Sequence, residues 1–253
     1  MKQFLIVANW KMNMPDELFD YAALPDAHRH VDVVLCPPAP FMERIFALRY
    51  ALAMPHILGG AQDVSAHEDG AYTGEFSASM LASLGVKYAL VGHSERRAYH
   101  NETDELVNRK ACAALRHDIS PIICVGETLA EREAGKAREV LRRQTCAAIA
   151  GISAADLERV VFAYEPVWAI GTGLAATPKD AAIGEEAIFD ASDDISSAGC
   201  RILYGGSVTE ENAEELLRVS GICGLLVGGK SLDSKAFAQI VGAAMKISDL
   251  ERN

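Results

Sequence analysis

Four polar residues that could move a proton or hold an anion stand directly after short apolar runs. Asn9 and Lys11 follow FLIVA, His93 follows YALVG, and Glu165 follows VVFAY. A carboxylate, an imidazole and an ammonium group together suit general acid–base chemistry on a negatively charged substrate. They can act together only if the fold brings the ends of three separate apolar runs to one place.

Glu165 is the candidate base, and the residues after it predict how water would be excluded. The segment 166–173, PVWAIGTG, has an apolar centre between a proline and two glycines, as expected of a rigid lid with flexible hinges. The alternative is that Glu165 caps a loop or pairs with an arginine, and that 166–173 is an ordinary surface loop. An exposed Val-Trp-Ala-Ile stretch would be costly without something to cover.

His93 precedes Ser94-Glu95-Arg96-Arg97, a segment able to begin a helix. The positive potential of a helix N-terminus disfavours a cation, so we expect an uncharged imidazole near pH 7 that donates a hydrogen bond to a carbonyl oxygen. A hydrogen-bonded histidine with a purely structural role is the alternative.

An anionic substrate needs local positive potential, because the whole chain has a formal net charge of −11. Lys11 can supply it, since screening over about 8 Å makes distant acidic residues matter little. The Gly-Gly pairs at 205–206 and 228–229 predict a phosphate cradle of backbone N–H groups. Alternatively, Lys11 is a solvated side chain and the glycines mark tight turns.

Short, continuously apolar runs recur along the chain, as is typical of parallel strands buried on both faces. Helix-like stretches, among them 105–116, 129–150 and 178–195 with Thr177 as N-cap, lie between them. This alternation predicts an α/β fold, a (β/α)8 barrel formed by residues 1–253 as a single domain. The eight runs are FLIVANW at 4–10, VDVVLCPP at 31–38, ILGGAQD at 57–63, YALVGHS at 88–94, SPIICVGE at 120–127, VVFAYEP at 160–166, RILYGGS at 201–207 and GICGLLVGG at 221–229.

Composition excludes several classes of function. The acidic net charge argues against nucleic acid or an anionic membrane as principal partner. The first apolar run is too short for a signal peptide and no run is long enough for a membrane helix, so we expect a cytoplasmic protein. The six cysteines are scattered without a C-x-x-C pair, which indicates neither a metal site nor a disulfide framework.

Five motifs, in order and at compatible spacing, resemble the triosephosphate isomerase family over nearly the whole chain. The resemblance implies interconversion of dihydroxyacetone phosphate and glyceraldehyde 3-phosphate, a step of glycolysis and gluconeogenesis, through an enediolate and with no cofactor or metal. The motifs are NWK at 9–11, GHSERR at 92–97, AYEPVWAIGTG at 163–173, YGGS at 204–207 and VGG at 227–229.

The resemblance also implies a role for each site residue. Glu165 would be the base, neutral His93 the electrophile, and Asn9 and Lys11 would stabilise negative charge, with Glu95 paired to Lys11. Phosphate would be bound through backbone N–H groups, and Trp168 would belong to the lid, which Tyr204 and Ser207 would latch. The phosphate-binding residues would be Gly171, Ser207, Gly228 and Gly229.

The resemblance implies a homodimer in which the loop 62–76 inserts beside the 9–13 segment of the partner. From its residues alone, this Gly-rich loop could equally be exposed to solvent.

Met14-Pro15 and a short stretch between Asn9 and Cys36 depart from the family pattern, so the first helix could be truncated or shifted. Lys230, where the family commonly has alanine, could add to phosphate attraction or point to solvent.

Two other classes of protein remain open at this point. One is another barrel enzyme for phosphorylated substrates, such as an amino-sugar isomerase or a Schiff-base aldolase. The aldolase needs a lysine inside a strand that points into the mouth, whereas Lys87 precedes the fourth run and Lys11 follows the first. The other class is a catalytically inactive barrel that serves as a scaffold, which the full set of catalytic residue types disfavours.

Overall fold

A computed structural model describes residues 3–14, 20, 24–25, 31–51, 54, 56–170 and 176–250. Eight parallel strands follow one another in chain order and close into a barrel, in which β1 pairs with both β2 and β8. The predicted (β/α)8 barrel is therefore confirmed. The strands are β1 (Phe4–Asn9), β2 (Val31–Cys36), β3 (Ile57–Ala61), β4 (Val86–Val91), β5 (Ser120–Val125), β6 (Val161–Tyr164), β7 (Arg201–Tyr204) and β8 (Ile222–Val227).

Helices cover the outside of the barrel, and none in the described part of the chain is long and apolar enough to cross a membrane. The region between β1 and β2, where we questioned the first helix, lies largely outside the described residues. The helices are α1 (Met42–Ala51), α2 (Ala78–Ser83), α3 (Ser94–His100), α4 (Asp104–Arg116), α5 (Leu129–Glu133), α6 (Ala137–Ile149), α7 (Ala154–Leu157), α8 (Pro178–Phe189), α9 (Asp193–Ala198), α10 (Ala213–Leu217) and α11 (Ser234–Leu250).

Two helical stretches are shorter than the sequence pattern predicts. The stretch 129–150 is divided into α5 and α6 at Gly135, whose φ of +70° is a left-handed conformation that ends a helix. The stretch 178–195 ends at Phe189, and Ser192 caps a new helix, α9. Thr177 is the N-cap of α8, as predicted, and forms a capping box with Asp180.

The barrel interior is filled by alternate strand residues, because side chains on one face of a strand recur every two positions. They form a separate buried cluster that contains no helical residue. The same alternation places Asn9, the last residue of β1, after Leu5 and Val7, and places Glu165, directly after β6, after Val161 and Ala163. The cluster consists of Leu5, Val7, Val34, Cys36, Tyr88, Leu90, Ile122, Cys124, Val161, Ala163, Leu203 and Leu226.

Gly126, directly after β5, allows the chain to pass very close to Glu165. The backbone N–H of Glu165 donates to the carbonyl of Val125 at 2.8 Å, which extends the β5–β6 ladder beyond the strands. A Cβ atom added at Gly126 would lie 1.7 Å from the carbonyl oxygen of Glu165. Since that neighbour is backbone, no side-chain rotation can relieve the overlap.

We predict that Gly126→Ala lowers the free energy of unfolding by about 3 kcal/mol, at the upper end of overpacking effects, and displaces Glu165. Gly242→Ala in α11 is the matched control, because a Cβ there meets nothing within 4 Å. Alanine in a helix is favoured over glycine by up to about 1 kcal/mol, so this control should be neutral or stabilising. Urea unfolding of both variants measures the difference, and equal stability would contradict the prediction.

Candidate active site

A cavity of about 500 Å³ lies at the carboxyl ends of the strands. Eight of the predicted site residues line it together, although they come from five separate parts of the sequence. Trp168 and Tyr204 do not line it, and Gly171 lies outside the described residues. The eight are Asn9, Lys11, His93, Glu95, Glu165, Ser207, Gly228 and Gly229.

The carboxylate of Glu165 is almost completely shielded from water, with 2% of the residue exposed. Its Oε2 accepts a hydrogen bond of 2.9 Å from the backbone N–H of Ser94. Its Oε1 lies 3.0 Å from Nε2 of His93 but accepts no well-aligned hydrogen bond among the described residues. Burial by itself raises the pKa of Glu165, but His93, the Ser94 N–H and Lys11 together outweigh it and hold the pKa below its usual value.

His93 is the N-cap residue of α3, and its ring is oriented by that helix. The backbone N–H of Glu95 donates to Nδ1 at 3.2 Å. A nitrogen that accepts a hydrogen bond carries no proton, so a neutral ring is protonated at Nε2, the atom that faces Glu165.

The positive potential at the N-terminus of α3 does not by itself determine the pKa of His93. Burial lowers it, but the carboxylate of Glu165 outweighs burial, and the pKa lies above the usual value of 6.5. The sequence argument considered only the helix N-terminus and overlooked this carboxylate. An uncharged His93 near pH 7 therefore stays a prediction.

Lys11 adopts a left-handed backbone conformation, with a φ of 51°, that is unusual for a residue other than glycine. Side chains on both sides hold this turn: Asn9 Oδ1 accepts the N–H of Lys11 at 3.0 Å, and Gln62 donates to its carbonyl at 2.8 Å. The Lys11 ammonium lies 2.6 Å from Glu95 Oε1. The turn thus directs the ammonium group across the mouth toward α3.

The opposite side of the cavity contains the glycine-rich ends of β7 and β8. Gly228 and Gly229 border it, and a Cβ at Gly229 would meet nothing within 4 Å, so its backbone is open. Lys230 also lines the cavity, but its ammonium lies 2.9 Å from Glu210 Oε1. Neither of the two expectations for Lys230 included this ion pair.

Residues 166–170 of the predicted lid are described, and Val167–Ala169 form a 3₁₀ turn. The hydroxyl of Ser207 donates to the carbonyl of Ala169 at 2.6 Å. The hydroxyl of Tyr204 is buried and has no hydrogen-bond partner among the described residues. Residues 171–173 of the lid lie outside those residues, so the latch by Tyr204 stays a prediction.

Two residues that position the site were not singled out from the sequence. Gln62 bridges β1 and β2 by donating also to the carbonyl of Cys36 at 2.9 Å. Glu127 is fully buried, and its Oε1 accepts hydrogen bonds from the Trp168 indole N–H at 2.7 Å and from the Tyr164 hydroxyl at 3.1 Å. Both follow an apolar run, as the predicted site residues do, and this was the available signal.

No three His, Cys, Asp or Glu residues in the described ranges are grouped in a way that could hold a metal ion. The side chains that line the cavity offer a buried carboxylate, an imidazole with an N–H at its edge, an amide and an ammonium group. This set suits proton abstraction from a carbon next to a carbonyl group, with developing negative charge on oxygen.

Comparison with known proteins agrees with this geometry. A family model described as triosephosphate isomerase matches residues 4–244. Proteins named triosephosphate isomerase are similar over almost their full length: that of Corynebacterium efficiens is 47% identical over 251 residues, 95% of either chain. The protein of Thermoanaerobacter pseudethanolicus is 46% identical, over 95% of this chain and 99% of its own. The protein of Paracidovorax citrulli is 47% identical, over 96% of this chain and 99% of its own. The chain belongs to the triosephosphate isomerase family.

Proposed function

We propose that this chain interconverts dihydroxyacetone phosphate and glyceraldehyde 3-phosphate, and that Glu165 moves the proton between the two adjacent carbons. The observation that carries the proposal is a single cavity in which a carboxylate with 2% exposure lies 3.0 Å from an imidazole nitrogen. The cavity also contains the ammonium group of Lys11. An acid–base pair and a fixed positive charge are the groups that an enediolate intermediate requires.

Glu165 suits the role of base because a backbone N–H fixes one of its oxygens, whereas the other contacts the ring of His93. Oε2 is held by the N–H of Ser94 at 2.9 Å, whereas Oε1 has no aligned hydrogen bond within the described part of the chain. A base must be close to the proton that it abstracts and must not be solvated by water. The near-complete burial of Glu165 meets the second condition.

His93, Asn9 and Lys11 would act on the oxygen atoms of the substrate. Nε2 of His93 carries the proton in the neutral ring and can donate it to the carbonyl oxygen and shuttle protons between the two oxygens. Asn9 and Lys11 stabilise the negative charge that develops there. Glu95 holds the Lys11 ammonium at 2.6 Å and so sets its position.

The phosphate group would be bound at the glycine-rich side, through the backbone N–H groups of Ser207, Gly228 and Gly229, with Gly171 from the lid. Phosphate is remote from the reacting carbons, so its binding free energy can hold the lid over the site. The hydrogen bond from Trp168 to Glu127 fixes the start of the lid, and the hydroxyl of Ser207 donates to the carbonyl of Ala169 in the same turn. No cofactor or metal enters this mechanism.

We also propose a homodimer through the loop 62–76, within a cytoplasmic enzyme whose 253 residues form one domain. Large apolar side chains near this loop are exposed, among them Met12 at 95%, Tyr99 at 80% and Phe76 at 48%. Met12 and Tyr99 border a cavity of about 320 Å³ beside Asp63, and the neighbouring cavity of about 450 Å³ contains Asp63 and Phe76. Such a surface favours burial against a second copy.

The alternatives from the sequence lose support. Lys87 does not precede β4, as expected from the sequence, but is its second residue, because the strand begins two positions earlier than the apolar run. Its side chain is exposed and lies at the end of the strand opposite to the cavity, where it cannot form a Schiff base with a substrate. A scaffold has no need for a nearly inaccessible carboxylate at the barrel mouth.

We predict that Glu165→Asp lowers kcat by about 100-fold, because shortening the side chain by one methylene withdraws the carboxylate by roughly 1 Å. A coupled assay on glyceraldehyde 3-phosphate measures the rate, and thermal unfolding shows that the variant stays folded. Glu133→Asp, at an exposed position, is the matched control and should retain full activity. Full activity of Glu165→Asp would contradict the role of Glu165 as base, and no turnover by the unmodified protein would support a scaffold.

We predict that Glu165→Gln moves the pKa of His93 from above 6.5 to below it. Without the carboxylate, burial and Lys11, which both lower the pKa, outweigh the more distant Glu95. Two-dimensional ¹H–¹⁵N NMR of the ring nitrogens follows the titration and identifies the tautomer. Because the pKa of His93 is raised in the folded protein, the protonated ring stabilises the fold below pH 6.5, and this stability is lost as the pH rises through the folded-state pKa. The Glu165→Gln variant should not show this loss of stability. An unchanged pKa would refute the pairing.

We predict a solution mass of twice the chain mass of 27.2 kDa by light scattering. Phe76→Glu places a charge on the proposed interface and should shift the mass toward that of one chain, because an unpaired charge is costly to bury. Leu250→Glu is the matched control, since Leu250 is also an exposed apolar residue, at 55%, but lies at the end of α11. A monomeric unmodified protein, or equal effects of both variants, would reject this interface.

A further inference from the structure

Arg132, in α5, is outside the cavity, yet its guanidinium group contacts both flanks of the predicted lid, which are the turn Val167–Ala169 at its beginning and the start of α8 after it. One nitrogen donates to Glu127 Oε1 at 3.3 Å, and another donates to Asp180 Oδ1. Its Cζ lies over the Trp168 ring, 4.3 Å from the ring centroid. The side chain is 31% exposed, so these contacts are partly shielded from water.

The contacts with Glu127 and Trp168 fix the beginning of the lid. Trp168 is held at its N–H by Glu127 and on its face by Arg132. The next residue, Ala169, accepts the hydrogen bond from Ser207, and Ile170 lines the cavity. The orientation of Trp168 is therefore transmitted to the cavity wall within two residues.

The contact with Asp180 fixes the chain beyond the lid. Oδ2 of Asp180 accepts hydrogen bonds from the N–H and the hydroxyl of Thr177, at 2.9 and 2.7 Å, in the capping box of α8. Oδ1 is thereby left for Arg132. The guanidinium group of Arg132 thus joins the start of α8 to the turn Val167–Ala169. Eight residues lie between Trp168 and Thr177 in the sequence, so this contact links two points that are not neighbours along the chain.

We infer that Arg132 is a positioning residue that holds the two flanks of the lid at a fixed separation. Because the flanks are already fixed, less of the phosphate binding energy is needed to position the lid, and more of it reaches the transition state. The planar group is required, because lysine cannot contact two carboxylates and stack on an indole at once. The inference rests on the proposed isomerase function.

The test uses Arg132→Met, Arg132→Lys and Asp180→Asn in the full chain. Each should lower kcat/KM for glyceraldehyde 3-phosphate about tenfold, with no comparable loss for glyceraldehyde, which lacks the phosphate that would hold the lid. Combining Arg132→Met with Asp180→Asn should cost about tenfold and not a hundredfold, because both changes remove the same interaction. Arg138→Met is the matched control: Arg138, in α6, contacts the other end of α8, through Glu186 at 3.5 Å and the C-cap residue Asp190 at 2.6 Å, and should keep full kcat/KM.

Three results would overturn the inference. Full activity of Arg132→Lys would mean that Arg132 only neutralises Glu127. Equal losses for both substrates would indicate general disruption of the site, and an equal loss in Arg138→Met would indicate a helix-packing effect. If Arg132→Met fails to fold because Glu127 is left unpaired, Asp180→Asn decides alone, since it retains the Arg132–Glu127 contact. Failure of the unmodified protein to convert glyceraldehyde 3-phosphate would instead reject the proposed function.

Discussion

Holding the Glu165 carboxylate out of water is the constraint on which the other features of the site depend. A buried charge costs several kcal/mol unless polar groups replace water around it. The Ser94 N–H and His93 do so from the end of β4, and the backbone of Glu165 is fixed to Val125 at the end of β5. These partners converge because parallel strands in a closed barrel all end on one side, which is also where active sites of this architecture lie.

The electrostatics of the cavity are local and oppose the charge of the whole molecule. The chain carries a formal charge of −11, yet Lys11 and the glycine-rich ends of β7 and β8 line the cavity. Lys11 reaches this position through a left-handed backbone conformation that costs on the order of 1–3 kcal/mol. Asn9 and Gln62 hold that conformation, so part of the stability of the fold is used to direct one ammonium group.

The sequence predicted those features that depend on local pattern. Apolar runs identified all eight strands, and the residues that end them include eight that line one cavity. It could not predict features that depend on contacts between distant segments. Glu165 raises the pKa of His93 from 72 positions away, and Glu127 and Arg132 acquire their roles only when α5 packs beside Trp168. The break at Gly135 was visible as a glycine, but helix propensity on both sides concealed it.

Ser207 would connect the proposed phosphate site with the start of the lid. Its hydroxyl donates to the carbonyl of Ala169, so its proton is already engaged, while its backbone N–H is the group proposed to bind phosphate. The two interactions use different atoms and need not compete. A phosphate at the glycine-rich side would then position the backbone of Ser207, and through its hydroxyl the turn that also contains Trp168. Since Arg132 links that turn to α8, a phosphate bound as proposed would affect both flanks of the lid through hydrogen bonds and the contact of Arg132 with the Trp168 ring.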